Sequence, residues 1–378
     1  MKVLHLIAGL GAGGAEMMLY KLLSHMDATA FRNEVISLTD CGPISQNLQS
    51  LGVPVCALGM SRGMPSPQAL FALKRRIRQA QPDVIQTWMY HADLLGGIAS
   101  RLAGVPVVWN IRNASLERYA VKHSTLWTAK MCALLSRRLP ACIVCCSEAA
   151  SRGHIAYGYA AEKIRVISNG FALESYLPDA AARAQVRLEL DIPDDAPLIG
   201  LVARFDPAKD HANFIRAAGA IRKSHPQVHY LLCGKGVIQE NTDLMEKIAD
   251  ADIGKNCRLL GLRHDVPRLT AALDIAVSSS SSEAFPNAVG EAMACGIPCA
   301  VTDVGDSAML VGDTGRIVPR RDAPALANAW REMLDMGEED RRRLGALARQ
   351  RVETHFDIKE IALSYQRLYQ EIMTPCAA

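Results

Sequence analysis

Short apolar runs alternate with helix-period stretches along the whole chain, the pattern of parallel strands covered by helices. The opening Met-Lys-Val-Leu-His-Leu-Ile-Ala-Gly-Leu sets Val3, Leu4, Leu6 and Ile7 ahead of a glycine cluster, which reads as a buried strand closing on a tight loop. In the first half, strands are expected to begin near Val3, Glu34, Val53, Asp83, Pro106, Cys142 and Ile164. Helices are expected over 15–25, 67–80 and 92–103. The alternation pauses over 168–197, rich in Pro, Asp and Ala, which reads as a linker. It resumes with strands at 198–203, 228–233, 258–260, 275–277 and 298–301 and helices near 213–223, 240–252, 287–294 and 324–334. A helical tail over 357–373 ends the pattern, and no short-period repeat appears. The expected architecture is α/β: two doubly wound, Rossmann-like domains facing a central cleft, with ligands at the carboxyl ends of the strands.

Composition narrows the class. A chain of 378 residues, 49% hydrophobic and 21% charged, is too long for one core and ordinary for two. Aromatics at 5% give no stacking surface for nucleic acid, which is excluded as a partner. The apolar run at the start is too short for a secretory signal, and no stretch reaches bilayer length, so a cytoplasmic chain is expected. Of eleven cysteines, Cys142, Cys145 and Cys146 lie in an apolar run, and Cys295 and Cys299 lack zinc-site spacing. They read as small buried side chains in a reducing compartment.

The net charge of +3 hides an asymmetry. Residues 1–170 carry 18 Lys and Arg against 9 Asp and Glu, and residues 171–378 carry 24 against 30. Basic residues gather at Lys74, Arg75, Arg76 and Arg78, and again from Arg118 to Arg138 among Leu116, Tyr119, Leu126, Trp127, Leu134 and Leu135. The second segment suits the surface of an anionic membrane, and equally a solvated helix with an ordinary core stripe.

The chemistry gathers at strand ends. In Ser-Ser-Glu-Ala-Phe-Pro-Asn-Ala-Val-Gly-Glu, Pro286 is expected at the first position of a helix, leaving Glu283 on the preceding loop and Glu291 more than a turn inside. Open amides of Asn287, Ala288 and Val289 between two carboxylates would suit a polyhydroxylated, phosphate-bearing ligand. Taken alone, the segment reads first as a capped surface helix with solvated glutamates. Arg204 and Lys209 follow the strand at 198–203 and would suit a pyrophosphate, or a surface ion pair with Asp206 or Asp210. Gly234 and Arg263 follow the next two strands. Gly9-Leu10-Gly11-Ala12-Gly13-Gly14 fits a dinucleotide fingerprint, with Asp40 as its acidic partner, and an NAD-dependent oxidoreductase is therefore one reading. The same glycines would serve any ligand phosphate.

Taken together, these ordered motifs resemble the retaining glycosyltransferases of family 4, which have the two-domain GT-B fold. The resemblance spans nearly the whole chain. It implies an acceptor-binding domain over 1–170, a nucleotide-sugar domain over 171–356, and a C-terminal helix over 357–378 that packs back on the first domain. It implies that Glu283 contacts hydroxyls of the transferred sugar, Glu291 binds ribose, and Arg204 and Lys209 hold the diphosphate. Gly13-Gly14-Ala15-Glu16 would lie beside the leaving phosphate, and Asn169-Gly170 would precede the interdomain linker. Many relatives carry a histidine where this chain has Arg112, which cannot act as a base at neutral pH. Arg112 is instead a candidate to hold a phosphate of donor or acceptor. His91 is the remaining histidine candidate for a part in catalysis, or a helix-end residue without one. Relatives with Phe-Pro-Asn after the first glutamate imply a UDP-sugar donor, with GDP-mannose as the rival. The acceptor is expected to be a glycan or a polyprenyl-lipid-linked sugar, with peripheral contact to an anionic membrane. Asp250-Ala251-Asp252 lacks a preceding strand, and neither a metal nor a cofactor is expected. A sugar-nucleotide 2-epimerase and a binding module without turnover are further alternatives.

Overall fold

The computed structural model describes residues 1–11, 13–60, 67–113 and 123–374. The chain divides into two compact units: unit 1 comprises residues 1–170 and 358–378, and unit 2 comprises residues 171–357. In unit 1 the described strands are β1 (Lys2–Ile7), β2 (Arg32–Ser37), β3 (Val55–Ala57), β4 (Val84–Trp88), β5 (Val107–Ile111), β6 (Cys142–Cys145) and β7 (Ile164–Val166). They pair in parallel in the order β3-β2-β1-β4-β5-β6-β7. In unit 2, β8 (Leu198–Val202), β9 (His229–Cys233), β10 (Cys257–Leu259), β11 (Ile275–Ser278), β12 (Cys299–Thr302) and β13 (Gly315–Val318) run parallel in the order β10-β9-β8-β11-β12-β13. The central strands are buried on both faces, which explains their continuous rather than alternating hydrophobicity.

The helices of unit 1 are α1 (Gly14–His25), α2 (Ile44–Ser50), α3 (Pro67–Ala80), α4 (Tyr90–Ala103), α5 (His123–Leu135) and α6 (Glu148–Tyr157). Unit 2 contains α7 (Ala180–Glu189), α8 (His211–Ile221), α9 (Thr242–Asp250), α10 (Val266–Ala271), α11 (Asn287–Ala294), α12 (Ser307–Val311), α13 (Ala323–Asp335) and α14 (Gly337–His355). The last helix, α15 (Ile358–Met373), belongs to unit 1 and packs against α1. Its Tyr369 hydroxyl donates to Gln86 Oε1 at 2.5 Å, and Tyr365 accepts from Asn110 Nδ2 at 3.0 Å. No helix among the described residues is both long and apolar enough to cross a membrane.

Three expectations need correction. The segment read as linker contains α7, capped by the Asp179 side chain accepting from the Ala182 amide at 2.9 Å. Its Ala-rich composition favours helix, and its buried Arg187 reaches Asp274 Oδ2 at 2.8 Å. The strand β13 and the long polar helix α14 carry too weak a periodicity to be foreseen; α14 buries little beyond Arg341, Gly345, Ala348 and Val352. Pro286 is the N-cap of α11, with φ −80° and ψ 93°, so the helix starts one residue later than expected. Of the cysteines discussed above, Cys142, Cys145, Cys146, Cys295 and Cys299 are all free and buried. The expected membrane segment falls partly outside the described residues: Leu116, Arg118 and Tyr119 lie there.

Candidate active site

The strongest constellation lies in unit 2, where the loops after the paired strands β8 and β11 are laced together. Asp206 accepts from the Ala208 amide at 2.9 Å and opens a single 3-10 turn over Pro207–Lys209. Asp210 then takes a left-handed conformation, φ 46°, and its carboxylate caps α8 by accepting from the Asn213 amide at 3.1 Å. Lys209 is thereby fixed between two turns. The Ser281 amide donates to Ala208 O at 2.8 Å and Ser279 Oγ to Lys209 O at 3.0 Å, which ties the two loops.

Across that seam Lys209 Nζ donates to Glu283 Oε1, and Ser280 Oγ donates to the same oxygen at 2.7 Å. The lysine side chain is 22% exposed and the glutamate side chain 12%. In a pair so shielded, removing either partner would leave the other charge uncompensated, and the two donors fix one carboxylate oxygen of Glu283 in place. The Glu283 loop is braced from behind as well. Thr302 Oγ1 donates to Ser280 O at 2.6 Å, and Gly305, at φ 59°, sits where a Cβ would come within 2.2 Å of Glu283 O. Only glycine fits there.

Arg204, exposed at the start of the same loop, donates from Nε to Asp206 Oδ2 at 3.1 Å. Burial alone would raise the Asp206 pKa, but the Ala208 amide and Arg204 together bring it below the usual range. Gly234 follows β9 at φ 153°; a Cβ there would lie 2.2 Å from Ala203 O, so the turn after β9 can press on the turn after β8 only as glycine. Glu291 lies inside α11 with the Tyr176 phenol hydrogen-bonded to its carboxylate; burial first, then that carboxylate, pushes the phenol up.

Two expected site elements sit differently. Because Pro286 is the cap, its carbonyl accepts from Val289 at 3.1 Å and Gly290 at 3.4 Å, so the Val289 amide is not open to a ligand. Asn287 and Ala288 remain in the first turn, where amides have no acceptor within the helix. Arg263 is engaged elsewhere: it forks onto Asp265 through Nε and Nη2, each at 2.8 Å, and reaches Glu189 Oε1 at 3.0 Å. Residues the sequence reading passed over are Ser280 and Tyr176, whereas Asp206, named there as an ion-pair partner, does pair with Arg204. The serine run before Glu283 was a visible signal, whereas nothing near Tyr176 marked it.

In unit 1 the candidates share the carboxyl edge of the sheet. Gly13 precedes α1 as its N-cap and Gly14 begins it; a Cβ on Gly13 would lie 2.4 Å from Glu16 Oε2, which folds back over the loop. His91 is the second residue of α4, and burial holds its pKa below the ordinary value, favouring the neutral ring. The turn into α4 is strained: Met89 has φ 72° and ψ 162°, a region that side-chain-bearing residues rarely enter. Arg112 follows the neighbouring strand β5 and is oriented by Asn110, Asn169 and Tyr365. Asp40, the acid a dinucleotide site would use, is exposed at the end of the turn after β2.

Comparison with known proteins resolves the alternatives. The Glycosyltransferase Family 4 profile matches residues 12–175, and that of Glycosyl transferases group 1 matches residues 196–336. The chain belongs to glycosyltransferase family 4. EpsF of Bacillus subtilis (strain 168), a glycosyltransferase by name, is 27% identical over 80% of this chain and 79% of its own. The UDP-Gal:alpha-D-GlcNAc-diphosphoundecaprenol alpha-1,3-galactosyltransferase of Escherichia coli is 27% identical over 71% of this glycosyltransferase and 70% of its own length. The solved structure of Anabaena HepE in complex with UDP and glucose superposes with a TM-score of 0.86 at 23% identity, covering 98% of this chain and 100% of that one. The fold is thus GT-B, and the enzyme is a glycosyltransferase using a nucleotide-sugar; the oxidoreductase reading finds no support.

Proposed function

We propose that this glycosyltransferase moves a sugar, with retention of anomeric configuration, from a UDP-sugar to a lipid-linked glycan acceptor. The observation that carries the reading is the cluster of Lys209, Glu283 and Ser280 at the adjoining ends of β8 and β11. On this reading Arg204 and Lys209 hold the diphosphate, Glu283 accepts from hydroxyls of the transferred sugar, and Glu291, with Tyr176 beside it, accepts from the ribose. An ammonium has three donors, so Lys209 can keep Glu283 and reach a phosphate at once. The bond from the anomeric carbon to the phosphate oxygen breaks while a bond to the acceptor oxygen forms on the same face. The departing phosphate takes the proton of the acceptor hydroxyl. Charge grows on that phosphate, where the two cations and the first amides of α11 stabilise it.

The uridine base is supported by the named donor of the Escherichia coli relative and by the ligand in the HepE structure. A lipid-linked acceptor is supported by that relative's named acceptor and by two surfaces of unit 1. Helix α3 has no acidic residue and sets exposed Phe71 beside Lys74, Arg75 and Arg78, which together line one shallow groove. Helix α5 exposes Trp127 and Leu134, with Lys130 between them. Such faces suit peripheral contact with an anionic bilayer. Incubation with a panel of UDP- and GDP-sugars, with and without lipid-linked acceptor, tests the reading. Acceptor-dependent release of UDP and an α-linked product from an α-donor are expected; exclusive use of GDP-sugars, or an inverted product, would refute it. Sedimentation with anionic but not neutral liposomes tests the membrane contact.

A further inference from the structure

Arg112 is a cation set among neutral groups. Nη1 donates to Asn110 Oδ1 at 3.0 Å and to the Tyr365 hydroxyl at 3.4 Å, Nη2 donates to Asn169 Oδ1, and the guanidinium lies 5.4 Å over the Trp88 ring. Asn110, Tyr365 and Trp88 are fully buried and Asn169 nearly so, so the platform itself is rigid. Among the described residues no carboxylate pairs with this charge. The arrangement fixes the guanidinium plane without neutralising it, at a desolvation cost that a purely structural role would avoid with a neutral side chain. Among the described residues three of the five N–H donors serve the platform, which leaves Nε and one hydrogen of Nη2, a pair of donors of the kind that forks onto two oxygens of a phosphate. Unit 1 also carries the chain's positive excess, since residues 1–170 hold 18 Lys and Arg against 9 Asp and Glu. That field draws anions toward this unit.

We propose that Arg112 is an anion subsite for a phosphate of the acceptor, and that the acceptor is therefore anionic near the hydroxyl that receives the sugar. This rests on the donor reading above, in which the diphosphate of the nucleotide already has Arg204 and Lys209 in unit 2. The shared chemistry is phosphate, and the two sources separate by competition. Decyl diphosphate is titrated into the full-length protein with and without saturating UDP, and into Arg112→Gln and Arg112→Lys. Binding that survives saturating UDP, falls about ten-fold or more in Arg112→Gln and recovers partly in Arg112→Lys is expected. In turnover, Arg112→Gln should raise KM for a diphosphate-linked acceptor while leaving a phosphate-free alkyl glycoside of the same sugar and the affinity for UDP within two-fold. Displacement of the diphosphate by UDP, equal losses for the two acceptors, or unchanged binding in a folded Arg112→Gln would each overturn the proposal. Diphosphate binding through Arg112 in a protein that does not bind UDP would instead refute the donor reading and leave the subsite standing.

Discussion

Gly290 sits in the interior of α11, and replacing it with alanine sets two effects against each other. Helix propensity favours the change by about 1 kcal/mol. Packing opposes it: the new Cβ would lie 1.9 Å from Cζ and 2.2 Å from Cε2 of Phe171. That ring cannot step aside easily, because Phe171 is fully buried between Phe285 at 6.1 Å and Phe356 at 6.5 Å, and its amide donates to Phe356 O at 2.8 Å. Clearing the overlap requires a shift of more than an ångström, at the upper end of the roughly 1–3 kcal/mol typical of overpacked cores. A net loss of about 1–2 kcal/mol follows, which lowers the melting temperature of a unit this size by roughly 2–8 °C. The displaced α11 also carries Glu291, so UDP affinity should weaken together with stability. Calorimetry of Gly290→Ala, Phe171→Leu and the double variant measures the coupling directly; the double variant should recover at least about 0.5 kcal/mol relative to additivity. A higher melting temperature for Gly290→Ala, or strict additivity, would refute the close-packing argument.

Lys209→Ala should reduce kcat about 100-fold or more while weakening UDP binding far less, because its charge matters most as the phosphate departs; single-turnover rates that stay intact would end the phosphate-centred mechanism. Arg263→Gln should lower the melting temperature yet leave donor KM within two-fold, since its guanidinium serves Asp265 and Glu189; a ten-fold rise in donor KM would return it to the donor site. Burial holds the buried rings of His5 and His211 at pKa values of about 4, against 6.5 when unfolded. Over that range the unfolded chain binds protons that the folded chain refuses, so stability is complete above pH 6.5 and falls toward pH 4, by up to about 3 kcal/mol per ring. Melting curves from pH 7 to 4 check this, and His5→Gln should flatten the decline.

The sequence disclosed the strand ends because parallel strands buried on both faces are continuous apolar blocks, and each block delivers its polar successor to one edge. Glu283, Lys209, Arg204 and Gly234 were found that way. What it could not disclose is which of these side chains meet. Lys209 and Glu283 lie in separate loops, and their pairing follows from the adjacency of β8 and β11, which a sequence pattern does not encode. The open amides of α11 were misjudged by one position, because whether a proline caps a helix or begins it depends on its ψ. Helix α14 stayed hidden because it buries only a sparse set of side chains, and α7 because alanines between prolines and aspartates look like a linker.

The assignment of α15 to the first unit bears on how the chain is made. Gln86 and Asn110, deep in that unit, find their hydroxyl partners only in Tyr369 and Tyr365. A nascent chain therefore holds all seven strands of its first sheet before these two partners exist, and about 190 residues more must be translated before the closing helix arrives, a wait of roughly ten seconds or longer at ordinary elongation rates. The intervening unit is contiguous from 171 to 357, so its whole length is made before α15 and can mature first. The first unit, though begun before the second, is thus completed after it, and the apolar surface left uncovered in that interval is where chaperones would act.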